Sequence, residues 1–343
     1  MLARGGALSP YSGLGSTHTA TVERLENSSV KGYSLNGVYE YKIRNNPLSK
    51  VWKRWFSAPK EVAKMAAKND IIHITDQEQA GLCPVNQKSV ITIHDLFHLF
   101  PATKEGVQIG NPNPSFFRKK DLNKVKRGIE RADLLICVSK HTQQECEMRF
   151  PGIKSKYIPH AIDLEKYSIK TERPDYFSDG KNLLIIGSEE DRKRLDFAVK
   201  VCSDLDVTLH KIGAESSEKA KLQLQNLAKE SGCNLNWVGR LEDSEMIAAL
   251  QHADCLLFPS IAEGFGLPPL EAYASGTVAL VADYPAHNEI CLPHHLLDPN
   301  DTEAWQKAIK ELDDESEAVR QRAEFFSIDK WCERIKDAYD SLF

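Results

Sequence analysis

The chain has 343 residues, 41% of them hydrophobic and 27% charged, with 19 Gly and 16 Pro, which excludes disordered, collagen-like and disulfide-scaffold classes. Its length suggests about two domains. It contains no run of roughly 20 apolar residues, and Met1–Gly6 has no apolar signal-peptide core, so a cytosolic location is expected. A net charge of −5 hides a split: the first 170 residues carry 26 Lys and Arg against 16 Asp and Glu, and the remainder 18 against 33. Halves of opposite sign suggest two domains that meet different partners, the basic one an anionic surface.

In chain order, the first half opens with a basic stretch, Lys42–Lys64, in which Lys50, Lys53, Arg54 and Lys60 stand among Trp52, Trp55 and Phe56. Three strand-length apolar runs follow, at Asp70–Thr75, Ser89–His94 and Leu134–Ser139, and a second basic cluster, Phe116–Arg127, lies between the last two. Aromatic residues beside cations suit an anionic membrane surface; solvated helix faces with the aromatics turned inward fit the same pattern. The join falls in Tyr157–Ser178, where Pro159 and Pro174 interrupt the pattern. Beyond it come Asn182–Gly187, Val207–Gly213, Asn234–Val238, Cys255–Ser260 and Thr277–Ala282. Continuous apolar runs alternating with amphipathic stretches predict parallel sheets covered on both faces, hence two doubly wound α/β units. The eight cysteines form no C-x-x-C pair and read as reduced, mostly buried thiols.

The most informative segment is Pro259–Gly276. A strand ends at Ser260, a turn carrying Gly264 and Gly266 follows, Pro268 and Pro269 suit a helix's first turn, and Gly276 suits its stop. Exposed amides at such a helix start favour an anion such as a diphosphate. Glu263 and Glu271 flank this anion site and suit hydrogen bonds to sugar hydroxyls. The same two residues also read as a solvated loop carboxylate and a complement to the helix dipole.

Glu263 and Glu271 stand in an E-x7-E pattern that resembles the signature of retaining glycosyltransferases of family 4, which have the GT-B fold. The run into the pattern, Trp237–Leu241 and Ala253–Ser260, is similar to the family's, as are Gly276–Ala282 and Asn288-Glu289-Ile290. Earlier, Ile91–Asp95 resembles the family strand ending in His-Asp, Ala132–Thr142 a second N-terminal-domain strand, and Ile158–Asp163 the entry to the second domain. Phe326–Tyr339 resembles a last helix that crosses back to the first domain. Together these cover about residues 70 to 343.

The resemblance implies a GT-B architecture of two Rossmann-like domains facing a central cleft: residues 1–160 binding the acceptor, 161–325 binding the donor, and 326–343 forming the returning helix. It implies Glu263 near the donor sugar with the amides of Gly264, Phe265, Gly266 and Leu267, Glu271 on the nucleotide ribose, and Lys193 on the diphosphate. The family's second cation would fall near Gly187 or Ser188, where no arginine stands, so Arg192 is the candidate substitute. Without the resemblance, Glu190–Arg194 reads equally as a solvated charge run. His94 would approach the donor sugar from the first domain, and Gly13 and Gly15 belong to a segment, Ser9–Thr17, that looks like the family's first glycine-rich loop. Only eight residues precede it, so the first strand is either very short or missing.

The implied activity is same-face transfer of a hexose from a nucleoside diphosphate sugar to a glycan or lipid-linked glycan, as in lipopolysaccharide or polysaccharide assembly. Neither metal nor other cofactor is implied: His94 and His98 are not joined by a further ligand set. Mannose is favoured because Glu263–Pro268 resembles mannosyltransferase-like members. The expected place is the cytoplasm, with the basic half on the inner face of the membrane. Nucleic acid is not an expected partner, for want of a recognition motif. A non-catalytic sugar-nucleotide-binding scaffold is the alternative. An NAD-dependent dehydrogenase lacks its G-x-G-x-x-G after a first strand.

Overall fold

Short, continuously buried apolar strands build the first of two units. The computed structural model describes residues 1–5, 13–27, 29–41 and 46–343, and groups Met1–Ala102, Gly110–Ala161 and Ile328–Phe343 in one unit and Thr103–Ile109 with Ile162–Ser327 in the other. The strands of the first part of the chain are β1 (Leu2–Ala3), β2 (Val38–Tyr39), β3 (Ile72–Ile74), β4 (Ser89–Ile93), the pair β5 (Ala102–Lys104) and β6 (Val107–Ile109), β7 (Leu134–Cys137) and β8 (Lys154–Tyr157). All but β5 and β6 join one parallel sheet in the order β2-β1-β3-β4-β7-β8.

Both faces of that sheet are covered. Ile91, Ile93, Leu135 and Cys137 enter a core with Val125 and Ile129, while Val90, Leu134 and Ile136 enter another with Trp331, Ile335 and Tyr339. The latter three lie on the C-terminal helix Ile328–Asp340, whose buried residues recur at helical spacing. Tyr339 Oη is also 2.7 Å from His73 Nδ1, and His73 Nε2 is 2.7 Å from Thr92 Oγ1. Residues 328–343 therefore belong to the first unit.

The first strand is present and only two residues long. Leu2 and Ala3 are fully buried between β2 and β3, so the sheet continues past β3 rather than leaving it exposed. Strand β8 is an edge strand whose Lys154-Ser155-Lys156 carries no apolar run, which is why no strand was expected there. Residues 103–109, expected within the first domain, group with the second unit. Their hairpin turns at Glu105 (φ 47°) and Gly106 (φ 75°), a two-residue turn suited to strand twist, and Glu105 accepts from Tyr284 Oη at 3.1 Å and Asn300 Nδ2 at 2.9 Å.

The second unit's sheet holds β9 (Lys181–Ile186), β10 (Val207–Ile212), β11 (Asn234–Gly239), β12 (Cys255–Phe258), β13 (Ala279–Ala282) and β14 (Leu296–Leu297). Its order, β11-β10-β9-β12-β13-β14, is parallel throughout. The chain winds outward one way from β9 and the other way from β12, so the topological switch lies between these two strands. Open α/β sheets bind ligands beyond the carboxyl ends at such a switch. All eight cysteines are buried free thiols. Among the described residues no helix is long and apolar enough to cross a membrane.

Candidate functional site

The loops leaving β9 and β12 supply the predicted chemistry. Past β9 the backbone turns at Gly187, with φ 142°, and the side chain of Lys193 lies across it. A Cβ at Gly187 would sit 2.9 Å from both Cδ and Nζ of Lys193, so only glycine lets the ammonium rest against the strand end. A 3-10 turn over Asp191–Lys193 then leads into the helix Leu195–Val201.

Past β12, Ser260 opens the second loop. Helix Leu267–Ser275 starts behind Gly266, which has φ 117°, with prolines in its first turn, and stops at Gly276. Phe265 is buried edge-on to Phe326, the centroids 5.8 Å apart, so an apolar anchor fixes the turn that presents these amides.

Arg192 ties the two loops together. Its Nη1 lies 2.8 Å from Glu263 Oε1 and 2.8 Å from the Ala262 carbonyl, and its Nε donates to Glu190 Oε2 at 2.9 Å. Ser260 Oγ stands 2.9 Å from the same Glu263 oxygen, and the Ile261 amide donates to the Arg192 carbonyl at 2.9 Å. Arg192, expected as the second diphosphate cation, thus commits its Nη1 and Nε to Glu263, Ala262 and Glu190, and the two carboxylates offset its charge. Lys193 has no such ion pair among the described residues.

Glu271 lies one helical turn into Leu267–Ser275 and meets the Tyr167 hydroxyl from the helix Leu164–Ser168. Burial pushes its carboxyl above the usual carboxylate range, and the Tyr167 hydrogen bond and the Lys166 charge work against that rise. The second unit thus brings together Lys193, Arg192, Glu263, Gly264, Phe265, Gly266, Leu267 and Glu271.

The first unit holds the other predicted residues. His94 is buried; its Nε2 donates to the Thr75 carbonyl at 2.8 Å, its backbone amide donates to Gln77 Oε1 at 3.0 Å, and its Nδ1 faces His160 Nε2 at 3.3 Å. With Nε2–H spent on a carbonyl, Nδ1 is the acceptor of that pair. Gly13 and Gly15 begin the helix Gly13–Glu26, while Ser9–Ser12 lie outside the described residues.

Two residues of this region escaped the sequence reading. Lys211, in the middle of β10, is fully buried: its Nζ is 2.6 Å from Glu189 Oε1, donates to the Gly213 carbonyl at 2.9 Å, and lies 4.1 Å from the Trp237 ring centroid. Burial pulls its ammonium below the usual value, and Glu189 opposes that. The lone cation inside an apolar strand was the available signal. His287 is also fully buried; its Nδ1 donates to Ala282 O at 2.8 Å, and its Nε2 has no partner among the described residues. Its Cδ2 would lie 3.5 Å from a Cβ on Gly266, so the imidazole backs the Glu263–Gly266 loop.

The basic clusters of the first unit separate into paired and unpaired cations. At a π-helical turn over Lys53–Ser57, consecutive residues Arg54 and Trp55 both reach Asp121, Arg54 by two bonds of 2.7 and 3.0 Å and Trp55 Nε1 by one of 3.0 Å. Arg118 pairs with Glu78 and Asp121, and Lys53 with Glu61. These cations are neutralised locally, and Lys42 lies outside the described residues. Exposed beside them are Trp52, Phe56, Phe116 and Phe117. Lys124 Nζ is 5.3 Å from the Phe56 ring centroid, and Lys120 Nζ is 4.5 Å from that of Phe116.

Comparison with known proteins identifies the family and the fold. The family model "Glycosyltransferase Family 4" matches residues 17–166, and "Glycosyl transferases group 1" matches 168–325. The O-antigen chain mannosyltransferase RfbU of Salmonella typhimurium is 25% identical over 248 residues, 68% of this chain and 67% of that protein. The serotype-specific mannosyltransferase WbdA of Escherichia coli is 27% identical over 250 residues, 67% of this chain but only 30% of its own length. Two solved structures share the fold: a sucrose-phosphate synthase from Thermosynechococcus elongatus (TM-score 0.76, 17% identity, 100% of this chain and 98% of that one), and Anabaena HepE with UDP and glucose (TM-score 0.74, 15% identity, 99% and 100%). With both family models matched side by side and the GT-B fold in common, the chain belongs to the family 4 and group 1 glycosyltransferases of GT-B architecture.

Proposed function

We propose that this glycosyltransferase moves a hexose, with mannose favoured, from a nucleoside diphosphate sugar to a glycan or lipid-linked glycan acceptor, with retention at the anomeric carbon and without a metal ion. The observation that carries the reading is the grouping, at the β9/β12 switch, of Lys193, which has no ion pair among the described residues, a helix-start turn of amides, and carboxylates on either side of that turn. The mannosyl preference draws support from the names of the Salmonella and E. coli relatives.

In this proposal the diphosphate lies between Lys193 and the amides of Gly264 to Leu267, and Glu271 accepts from the ribose hydroxyls. Glu263, held by Arg192 and Ser260, accepts from the donor sugar; the Arg192 pair keeps it aimed. His287, with its Nε2 lone pair behind Gly266, supports that loop from below. As the sugar–phosphate bond breaks, the leaving β-phosphate oxygen takes the proton of the attacking acceptor hydroxyl on the same face. No protein base is needed, and His94, both of whose ring nitrogens are engaged within its own unit, has no proton-transfer role.

The test is a thermal-shift panel of GDP-, UDP-, ADP- and dTDP-sugars without added metal. One class, with a GDP-hexose expected, should raise the unfolding temperature, since a ligand at 100 times its Kd stabilises by about 2.7 kcal/mol. Glu271→Ala should abolish that shift while leaving the ligand-free transition in place. Absence of any shift across the panel would favour a scaffold without donor binding.

The acceptor side of the proposal places the first unit on an anionic membrane. Trp52, Phe56, Phe116 and Phe117 are exposed, with Lys120 and Lys124 against two of the rings, and amphipathic aromatics beside lysines favour an anionic headgroup layer. Flotation with vesicles containing anionic lipid should carry the protein upward. The double substitution Phe116→Ser and Phe117→Ser should weaken flotation, and equal recovery on neutral and anionic vesicles would refute the surface.

A further inference from the structure

The second unit contains another constellation that the transfer reaction does not use. His294 and His295 end the 3-10 turn Pro293–His295, and Glu315 precedes the helix Ser316–Ala323. His294 Nε2 lies 2.8 Å from Glu315 Oε2, His295 Nε2 lies 3.3 Å from Glu315 Oε1, and one ligand atom from each residue falls within 4.8 Å of the other two. The imidazole centroids are 4.3 Å apart at 65°, so two ring nitrogens and a carboxylate converge from different directions.

A tetrahedral zinc ion with bonds of about 2.0–2.1 Å has ligand atoms about 3.3 Å apart. The observed separations bracket that value, and closing them takes only side-chain adjustments. A donor set of two imidazoles and a carboxylate suits zinc-type divalent ions.

An independent feature supports a ligand role for His295. It is buried, and its other ring nitrogen, Nδ1, is 2.5 Å from Tyr273 Oη, which also accepts the Leu292 amide at 3.0 Å. Metal-binding imidazoles are oriented in this way by a fixed partner on the outer nitrogen. With Nδ1–H given to Tyr273, the Nε2 lone pair is directed at Glu315. His294 is 59% exposed, which leaves an open side for a water molecule as fourth ligand.

We infer that His294 Nε2, His295 Nε2 and the Glu315 carboxylate form a binding site for a zinc-type divalent metal ion. On binding, the ion sits between the His295 Nε2 lone pair and Glu315, and the proton that bridges His294 Nε2 to Glu315 leaves that nitrogen for solvent. The ion tethers the Pro293–His295 turn to the helix Ser316–Ala323. That helix already braces Leu267–Ser275, because Arg320 Nη2 donates to the Ser275 carbonyl at 2.8 Å, and Tyr273 lies two residues after Glu271. The site is thus a clamp behind the helix that carries Glu271. It takes no part in bond breaking.

The experiment is calorimetric titration of the full chain, stripped with chelator and kept reduced, with ZnCl2, paralleled by Co2+ absorption. Expected are one equivalent of Zn2+ per chain, binding at least tenfold weaker in both His294→Ala and Glu315→Gln, and a tenfold or greater loss in Tyr273→Phe. Both ligand variants alter side chains that reach solvent, and circular dichroism verifies that they fold. The Co2+ form should show visible ligand-field bands without sulfur-to-metal charge transfer. No saturable Zn2+ binding by the wild type, unchanged binding in both ligand variants, or a thiolate charge-transfer band would overturn the site.

Discussion

Lys193→Ala is expected to lower kcat for sugar transfer by about 10²–10³-fold, the loss typical when one preorganised donor to a developing charge is removed. The departing diphosphate gains charge as the sugar leaves, and in this proposal the second unit meets it with the Lys193 ammonium and a turn of amides. Arg192 is a poor replacement, because Glu263 and Glu190 offset its charge and its Nη1 and Nε are spent on Glu263, Glu190 and the Ala262 carbonyl. Binding of the ground-state nucleotide should fall less than kcat, since the amides of Gly264–Leu267 remain. Lys193→Arg should recover part of the rate by restoring charge with a different shape. Gly187→Ala provides an orthogonal check: the added methyl would press on Lys193 Nζ at 2.9 Å in a backbone region that L side chains avoid, so kcat should drop although Lys193 is intact. Near wild-type turnover of purified, folded Lys193→Ala would sink the assignment.

The elements legible in the sequence were those with a long apolar run. All eight expected strands occur, because buried parallel strands need apolar residues on both faces and so announce themselves. What was illegible had other causes. Strand β1 is two residues long and β8 is a lysine-bearing edge, and neither has a run to detect. The β5–β6 hairpin depends on tertiary contacts of Glu105, which local pattern cannot reveal. Gly264, Gly266 and Gly276 with Pro268 and Pro269 predicted a loop and helix that the structure contains, with Gly266 and Gly276 at the helix's two ends. The partner of Arg192 was not predictable, because it comes from a loop 71 residues later in the chain. His294, His295 and Glu315 escaped for the same reason: no local spacing joins an adjacent histidine pair to a glutamate twenty residues on.

Lys211→Met is expected to be the most destabilising of these substitutions, by about 3–5 kcal/mol, the usual consequence of stranding one partner of a buried ion pair. Lys211 is fully buried and the Glu189 side chain is only 7% exposed, so solvent screening offers little relief. Glu189 also accepts from the amide and hydroxyl of Ser216, and the pair therefore holds the loop after β9 to the loop after β10. With roughly 2–4 °C per kcal/mol for a unit of this size, the transition of the second unit should fall by roughly 6–20 °C. Removing both charges separates two explanations. In Lys211→Met with Glu189→Leu no buried ion is left unpaired, so much of the stability should return, as it does when ion pairs are replaced by apolar groups of similar volume. Donor binding should not return fully with it, because the Glu189 carboxylate no longer accepts from Ser216, and only the amide of residue 189 and the Arg192 contacts still hold the Gly187–Lys193 loop. A double variant as unstable as Lys211→Met would mean that the methylene packing of Lys211 on Trp237 matters more than its charge. A double variant that binds donor normally would mean that Arg192 and the main-chain bond to Ser216 suffice to hold the loop.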